Sequence, residues 1–414
     1  MIRKAFRYTL LSALSLAMIQ LPSFAYQLDK TNRVISVAPG TSVSATTTDL
    51  QNAFSYLVSR PDKDALWTMK FAPGKYEVSK TLRATGLKNT ILSSNPSSPA
   101  KIVKTATWDD NRSGEYLLNF PYANKVQLIG FELYGHTTFA NGNTPDWGDQ
   151  GVYFGSGNIV KVDSNKFYNF GNAALRVVTD ARDPVHGVNS FKTQVSNNLF
   201  NNVYQTATTS IDKLHGGTAM STWSRNTFVN LRGSIKFASR TPGAKTIEFV
   251  NNVVNGGDHF GLEIDNYSDF LIKGNTFQNI KEYAMTIYTA GNGDIMSKGF
   301  PWGDNFSIVD NTIKNVTYAI RYAHKPFWDG TQNVPKNLVI DGNTISNVTN
   351  TASYVPLVYI GGGVFNGVKI TNNKMSAIAN RKYFSVQSGS TNVSILNNMV
   401  DGVAYGAQTT TAVK

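Results

Sequence analysis

The chain has 414 residues, of which 41% are hydrophobic and only 16% are charged. This composition excludes an intrinsically disordered chain, which would combine low hydrophobicity with high charge. Cysteine is absent, which excludes a disulfide framework, a thiolate metal site and a cysteine nucleophile. The formal net charge of +12 suits a polyanionic partner such as an acidic polysaccharide, a nucleic acid or an anionic lipid.

A targeting segment is predicted at the start of the chain. Its first basic residues are Arg3, Lys4 and Arg7. An apolar run follows, and small residues stand at Ser23 and Ala25, the pattern of a cleaved signal peptide over residues 1–25. No later stretch is long and apolar enough to cross a membrane. We therefore predict a periplasmic or secreted bacterial protein. Residues 26–414 are expected to form a single domain, a monomer with no integral membrane span and no nucleic-acid partner.

A short phrase built on asparagine recurs along the chain. Its asparagines are 23 to 36 residues apart, and they are Asn165, Asn198, Asn226, Asn252, Asn275, Asn311, Asn343, Asn373 and Asn398. A short unit with variable insertions is typical of a solenoid. Apolar and polar residues alternate on either side of the phrase, which predicts strands rather than helices. We interpret Asn226, Asn252, Asn275 and Asn311 as structural, because asparagine tolerates left-handed backbone geometry and its side chains can bond to one another along the stack.

With these repeats, the sequence resembles the right-handed parallel β-helix proteins of the pectate-lyase-like superfamily over roughly residues 30–405. The segment Thr46–Leu57 resembles the amphipathic helix that caps the first coil in that superfamily, and Phe71–Tyr76 resembles its entry strand and turn. The resemblance implies an all-β fold, a right-handed parallel β-helix solenoid with a short N-terminal capping helix. It does not choose a reaction, because the superfamily contains lyases, hydrolases, epimerases, esterases and phage tail proteins.

The strand that follows each asparagine turn contains the candidate site. Its apolar positions are predicted to point inward: Leu175 and Val177, Ile235 and Phe237, Leu262 and Ile264, Met285 and Ile287, and Ile320 and Tyr322. The alternate positions are predicted to form one outward column: Tyr153, Arg176, Lys236, Glu263, Thr286, Arg321, Val358 and Ser385. Thr206 or Thr208 is expected to fill the coil at 203–210. Asp265 and Tyr288 are expected in the next outward column.

Long insertions are predicted to wall a groove over these columns. They lie at about 136–149, 179–192, 289–305 and 323–336, where they enter or leave the same strand. All five histidines of the chain also fall in turns or loops at the flanks of this strand, and they are His136, His186, His215, His259 and His324. The clustering predicts that at least one histidine takes part in chemistry.

The outward residues favour a polysaccharide lyase that cleaves an acidic, uronate-containing polysaccharide by β-elimination. That reaction removes the C5 proton of a uronate, stabilises the charge that develops on its carboxylate, and expels the C4 oxygen. The candidate catalytic residues are Lys236, His259, Tyr288, Arg321 and His215. The candidate substrate-binding residues are Arg176, Arg240, Tyr153, His324 and Lys325. Oxygen ligands for a possible Ca²⁺ come from Asp258, Glu263 and Asp265.

Three alternatives stay open. Glu263 and Asp265 are two positions apart on one strand, so their α-carbons lie about 7 Å apart and the pair could hydrolyse a glycosidic bond. A uronate C5-epimerase shares the proton abstraction of a lyase, and a non-catalytic β-helix could bind a polysaccharide without cleaving it. The motif set of the β-helix polygalacturonases is missing. The lysine–arginine pair of the chondroitinase B and alginate lyase branch is also missing, because Gly217 and Ala238 stand at those positions.

Overall fold

The computed structural model describes residues 26–105, 108, 115–137, 139, 146, 148–155, 159–178, 190–210, 218–239, 244–288, 303–324, 334–350, 352, 354–378, 382–405 and 408–409. The predicted signal peptide at 1–25 lies outside these residues. The described strands wind as successive coils of a right-handed parallel β-helix, and each coil contributes strands to three faces. The predicted fold class is confirmed.

The first face, here the first sheet, is hydrogen-bonded from one end of the solenoid to the other. Its strands are Tyr26–Asp29, Val34–Val37, Trp67–Phe71, Lys88–Ser94, Asn124–Ile129, Ile159–Asp163, Ser190–Ser196, Thr218–Ser224, Ala244–Val250, Phe270–Lys273, Phe306–Val309, Lys336–Asp341, Asn366–Thr371, Thr391–Leu396 and Gln408–Thr409.

The second and third sheets follow the first sheet within each coil. The second sheet comprises Gly74–Val78, Ala100–Lys104, Glu132–Tyr134, Lys166–Tyr168, Leu199–Asn201, Thr227–Leu231, Val253–Gly257, Thr344–Val348, Lys374–Met375, Asn398–Val400 and Val403–Tyr405. The third sheet comprises Leu82–Arg83, Tyr116–Pro121, Gln150–Gly155, Ala173–Val178, Gln205–Ser210, Ile235–Ser239, Leu262–Asp265, Val358–Gly361 and Phe384–Val386. Two long strands, Thr276–Tyr288 and Thr312–Ala323, bend around the corner and belong to both sheets.

A helix at Val43–Ser59 covers the N-terminal end of the coils. The Ser42 side chain accepts a hydrogen bond from the Ala45 N–H and so caps the helix N-terminus. Leu50 and Phe54 lie on the buried face, where Phe54 meets Phe120 edge to face at 5.6 Å. The helix therefore protects apolar side chains that would otherwise face solvent at the end of the stack. It confirms the predicted cap and is longer than the predicted segment.

Antiparallel strands end the solenoid at both extremities of the described chain. Tyr26–Asp29 pairs with Val34–Val37 at the start, whereas Gln408–Thr409 pairs with Thr391–Leu396 near the end. A parallel sheet that simply stopped would expose a row of unpaired backbone groups. These reversals pair that edge with another segment of the same chain.

The recurring asparagines form a buried ladder at the corner between the first and second sheets. Asn226 is typical: its side-chain amide donates to the Val195 carbonyl and to Asn252 Oδ1, and its backbone N–H donates to the same Oδ1. The structural role predicted for these residues is confirmed. The left-handed backbone lies one residue earlier than predicted, because Arg225 and Asn251 have φ near +55°. We call the nine stacked asparagines the asparagine ladder.

Candidate functional site

The outward positions of the third sheet stack in register from coil to coil. The outward column found in the structure is Asn119, Tyr153, Arg176, Ala207, Lys236, Glu263, Thr286, Arg321, Tyr359 and Ser385. All the apolar positions predicted to point inward are fully buried. Two predicted members of the column are wrong. Val358 pairs with Ile320 and points inward, so Tyr359 takes its place, and Ala207 stands where Thr206 or Thr208 was expected.

Lys236 joins two acids in the middle of the outward column. Its Nζ lies 2.7 Å from Glu263 Oε1 and 3.0 Å from Asp265 Oδ2. Two oxygens that contact one ammonium at hydrogen-bond distances lie no more than about 6 Å apart. The three side chains are one-sixth to one-third exposed, so a ligand can reach them from solvent. The structure therefore brings together the three central residues of the sequence prediction.

The ion pairs decide the charge of Lys236. Burial of the amine lowers the pKa of Lys236, but the attraction of Asp265 and Glu263 outweighs that effect, so its pKa lies above the ordinary value of a lysine. The raised pKa favours the protonated ammonium, which suits a cation that holds two carboxylates. With one positive and two negative charges, the cluster carries a net negative charge.

Ser234 is a member of this cluster that the sequence analysis missed. Its hydroxyl donates to Glu263 Oε2 at 2.7 Å, while Lys236 donates to Oε1 of the same carboxylate. Donors on both oxygens fix the orientation of the carboxylate and stabilise its negative charge. Alternation along the strand pointed to Lys236 but gave no signal for Ser234, which lies in the turn before the strand.

Arg321 and Tyr288 lie beside the acid cluster, on the next two coils. The Arg321 guanidinium lies 5.3 Å from the ring centre of Tyr288 and 5.8 Å from that of Tyr283. Tyr283 in turn stacks on Tyr318 at 4.5 Å. Arg321 is therefore held over two aromatic rings. Tyr283 was not predicted, because it stands in the corner before the third-sheet segment of its strand.

Arg176 and Tyr153 lie on the opposite side of the acid cluster. Tyr153 stacks on Tyr116 with ring centres 4.7 Å apart, and Arg176 is hydrogen-bonded to Tyr116. Burial raises the pKa of Tyr116 above its ordinary value, and the nearby guanidinium only partly offsets this effect. Both residues predicted to bind substrate are thus on the outward face, at two and three coil steps from Lys236.

Asp258 is not part of the acid cluster. Its carboxylate lies 2.8 Å from Arg232 Nη1 and 2.6 Å from Lys281 Nζ, in the corner that leads into the third sheet. Burial raises the pKa of Asp258, but the hydrogen bonds from Lys281 and Arg232 outweigh that effect, so its pKa is lowered. The structure thus separates Asp258 from Glu263 and Asp265. Within the described residues, no group of three His, Asp or Glu side chains is placed to hold a metal ion.

The histidines take different places. His259 lies in the same corner as Asp258, with its Nδ1 3.4 Å from Glu282 Oε2, at the entry of the strand rather than over the acid cluster. His324 was predicted to bind substrate, but it is only 1% exposed because it packs against Phe365 and the chain at Gly363. His215, Arg240 and Lys325 lie outside the described residues, as does His186.

One of the predicted wall loops is partly described. The chain between Tyr134 and Gln150 enters the third sheet and is anchored by Asp149, which accepts hydrogen bonds from the backbone of Thr137 and Gly171. Asp149 also forms a fully buried ion pair with Lys104 at 3.2 Å. The described residues at both ends of this loop thus border the third sheet where its strands begin. The other predicted wall loops, at 179–192, 289–305 and 323–336, lie mostly outside the described residues.

The fold is similar to that of several solved proteins. The adhesin PfbA of Streptococcus pneumoniae gives a TM-score of 0.61 at 14% identity, covering 88% of this chain and 89% of its own. An exopolygalacturonase from Thermotoga maritima gives 0.56 at 11% identity, covering 92% and 94%. The catalytic unit of a GH87 α-1,3-glucanase from Streptomyces thermodiastaticus gives 0.53 at 14% identity, covering 93% and 72%.

These similarities confirm the predicted resemblance at the level of the fold. Identities this low do not transfer a function, and the three proteins include two named as polysaccharide-cleaving enzymes and one named as an adhesin. No protein-family model matches the sequence, and no curated protein matches it. Among the described residues, the helix is neither long nor apolar enough to span a membrane.

Proposed function

We propose that this protein hydrolyses glycosidic bonds of a polysaccharide at Glu263 and Asp265. The observation that carries the proposal is that one carboxylate oxygen of each acid contacts the same ammonium of Lys236. Retaining glycosidases place their two carboxyl groups about 5–5.5 Å apart, and a shared ammonium is compatible with such a spacing. The pair lies on an exposed strand face where a polymer can be laid along successive coils.

The local charge favours hydrolysis over elimination at this cluster. A glycosidic bond breaks through a transition state with positive charge on the sugar ring, and nearby carboxylates stabilise that charge. β-Elimination instead builds negative charge on a uronate carboxylate, which the net negative charge of Lys236, Glu263 and Asp265 would oppose. The charge of this cluster therefore favours a glycoside hydrolase, one of the three alternatives, over the predicted lyase.

The contacts also separate the roles of the two acids. Glu263 is held by donors on both oxygens, from Ser234 and Lys236, which suits a nucleophile of fixed orientation. The negative charge of Glu263 favours uptake of a proton from solvent by Asp265 when substrate binds. Asp265 then gives this proton to the departing oxygen, and as a carboxylate it later takes a proton from the water that releases the sugar. Lys236 keeps the two carboxylates close together in the absence of substrate.

The test is the appearance of new reducing ends during incubation with a panel of polysaccharides. Glu263→Gln and Asp265→Asn should each lower the rate at least about 100-fold, because each removes one of two cooperating groups. Glu248→Gln is the matched control, since Glu248 lies on the first sheet, where it accepts a hydrogen bond from Thr222. Activity that survives in both variants, or that falls equally in the control, would rule out this assignment.

β-Elimination is the second candidate, and one contact favours it. Tyr288 and Arg321 lie side by side, with the hydroxyl 3.4 Å from Nη1. A tyrosine beside an arginine can exchange a proton at C5 while the guanidinium neutralises the uronate carboxylate. The same pair serves C5-epimerisation, which differs only in returning the proton. A non-catalytic polysaccharide-binding protein is the reading that remains if neither reaction is observed.

Ultraviolet absorbance recorded on the same samples separates these reactions. Elimination creates an absorbing unsaturated uronate, whereas hydrolysis and epimerisation do not. A rise in absorbance that Tyr288→Phe abolishes would replace the hydrolase proposal with a lyase. Each reaction is run with calcium and with a chelator. A chelator-sensitive rate would assign Glu263 and Asp265 to a Ca²⁺ ion, as the sequence analysis expected.

We further propose an acidic polysaccharide as the partner of this face. The net charge of +12 falls by three, to +9, if residues 1–25 with Arg3, Lys4 and Arg7 are removed, and it still attracts a polyanion. Arg176 and Arg321 flank the acid cluster on the same column. Export to the periplasm or the medium, with removal of residues 1–25, remains part of the proposal, as does a monomeric single domain over 26–414. N-terminal sequencing of the mature protein and its mass in solution test these points.

A further inference from the structure

Arg321 is fixed on the third sheet and has no acidic partner in the part of the chain that the structure describes. The rings of Tyr283 and Tyr288 hold its guanidinium, and its one hydrogen bond among the described residues is the 3.4 Å contact with the Tyr288 hydroxyl. No carboxylate of the described part of the chain lies within ion-pair distance. Lys236, three coils away on the same column, contacts two acids. Aromatic rings position a guanidinium but leave most of its N–H donors unused.

A buried hydroxyl lies next to this guanidinium. Thr286 stands between Glu263 and Arg321 in the outward column, yet its side chain is fully buried. Its hydroxyl has no hydrogen-bond partner within the described residues. A buried hydroxyl without a partner costs free energy unless a ligand or a water molecule supplies one. An outward-pointing polar atom beneath a cation therefore indicates a place for an anion.

We propose that Arg321, Tyr288 and Thr286 form a subsite for the carboxylate of an acidic sugar next to the scissile bond. The inference rests on the proposed function, because it takes Glu263 and Asp265 as the reacting groups. The guanidinium contacts rings on the Thr286 strand, which lies about 4.8 Å from the strand of the two acids. Its planar fork matches a planar carboxylate through two parallel hydrogen bonds.

This arrangement separates two requirements: negative charge beside the reacting sugar ring, and positive charge beside the carboxylate of the substrate. Glu263 and Asp265 carry excess negative charge, which suits the reacting ring and repels an acidic substituent. Arg321 stands two coils further along, and its guanidinium contacts rings of the intervening coil, where the next sugar unit of the chain would lie. The subsite thus makes the charge of the neighbouring sugar, rather than that of the reacting sugar, the determinant of specificity.

The test compares steady-state cleavage of an acidic polysaccharide with cleavage of the same polymer after chemical reduction of its carboxyl groups. Arg321→Gln should raise KM for the acidic polymer about 10- to 100-fold with little change in kcat, and should leave the reduced polymer unaffected. Arg321→Lys keeps the positive charge but loses the planar fork of N–H donors. Its KM for the acidic polymer should therefore lie between those of the wild type and Arg321→Gln. Arg225→Gln is the control, because Arg225 is an exposed arginine bonded to Asn197 at another corner.

Two results of the cleavage assays would overturn the subsite. One is an equal loss on both polymers, which would make Arg321 a residue of the scaffold. The other is a preference of the wild-type protein for a sulfated polymer over the carboxylated one. Calorimetric binding of uronate oligosaccharides to the Glu263→Gln variant keeps the two proposals apart. Binding that depends on Arg321, together with the absence of hydrolysis by the wild-type protein, would sink the proposed function alone, whereas binding indifferent to Arg321 would sink the subsite.

Discussion

The asparagine ladder and the outward column run along the same coils and use polar residues in opposite ways. The ladder repeats one residue nine times, and each side chain is buried and bonded to the next. The column changes at almost every step and mixes tyrosine, arginine, alanine, lysine, glutamate, threonine and serine. Identical coils would serve stability equally well on both faces, so the variation on one face calls for another explanation.

The contacts supply that explanation. A ladder asparagine forms hydrogen bonds with backbone groups and with the asparagine side chain of the neighbouring turn. Its polar groups are therefore used within the scaffold and are not available to a ligand. In the column, Lys236 contacts two acids at once, whereas Arg321 contacts two aromatic rings and the Tyr288 hydroxyl. These groups keep charge and hydrogen-bonding capacity at the surface. Within a solenoid, departure from the repeat is therefore a better guide to function than the repeat itself.

The largest expected effect comes from breaking the ladder in its middle. Asn252→Ala removes the acceptor of the Asn226 backbone and side-chain N–H groups and the donor to the Trp223 carbonyl. Several buried polar groups lose their partner, at about 1 kcal/mol or more each. We expect the free energy of unfolding to fall by about 3 kcal/mol in chemical denaturation. The activity of the folded fraction should be unchanged, and a selective loss of activity would contradict a purely structural ladder.

The second effect breaks the column instead of the ladder. Lys236→Met leaves Glu263 and Asp265 side by side without their cation, which should cost about 1–2 kcal/mol of unfolding free energy. The same change should abolish most activity, because the spacing of the two acids is then no longer held. A loss of stability without a loss of activity would remove Lys236 from the site.

The pH dependence of this variant has a definite sign. The folded-state pKa of Lys236 is raised, so its contribution to stability is complete below the ordinary lysine pKa of about 10.4 and is lost as the pH rises above it. The stability difference between wild type and Lys236→Met should therefore hold at pH 7 to 9 and shrink above pH 10. Denaturation curves across that range measure it directly.

The third effect concerns stability and comes from the corner between the second and third sheets. Asp258 joins Arg232 and Lys281, and its lowered pKa means that its contribution is present above about pH 3.9 and lost as the pH falls further. Asp258→Asn should cost about 1 kcal/mol at pH 7, since Lys281 is largely exposed, and the difference should vanish in acid. A difference that persists below pH 3 would mean that packing, not charge, is lost.

The fold could be predicted because the ladder marks the register of the coils from Asn165 to Asn398. Once a ladder asparagine is identified, strand alternation assigns the inward side chains, and all of the predicted ones proved buried. The column could be predicted only where the corner before the third sheet has a constant length. Extra residues between Asn343 and Tyr359 break that count, and an irregular pairing between Ala173 and Arg176 shifts the neighbouring coil.

The side-chain contacts of the site could not be predicted from the sequence, for a different reason. Alternation says that Lys236 points outward, but a long side chain can lean toward either neighbouring coil. The coordinates show that Lys236 leans toward Glu263 and Asp265 and is the cation between these two acids. Tyr283 and Ser234 were missed because corners follow no simple period. Electrostatic roles thus require coordinates even when the face is known.

The smallest change in stability is expected at an asparagine that stacks outside the buried ladder. Asn279 also bonds to asparagines of adjacent coils, namely Asn255 and Asn315, but these contacts are exposed to water. Its φ of +58° favours glycine as the replacement, since glycine adopts this geometry without strain. Asn279→Gly should change the unfolding free energy by no more than about 0.5 kcal/mol, because water replaces the lost partners. A cost near that of Asn252→Ala would show that stacking itself, rather than burial of the stacked groups, stabilises the solenoid.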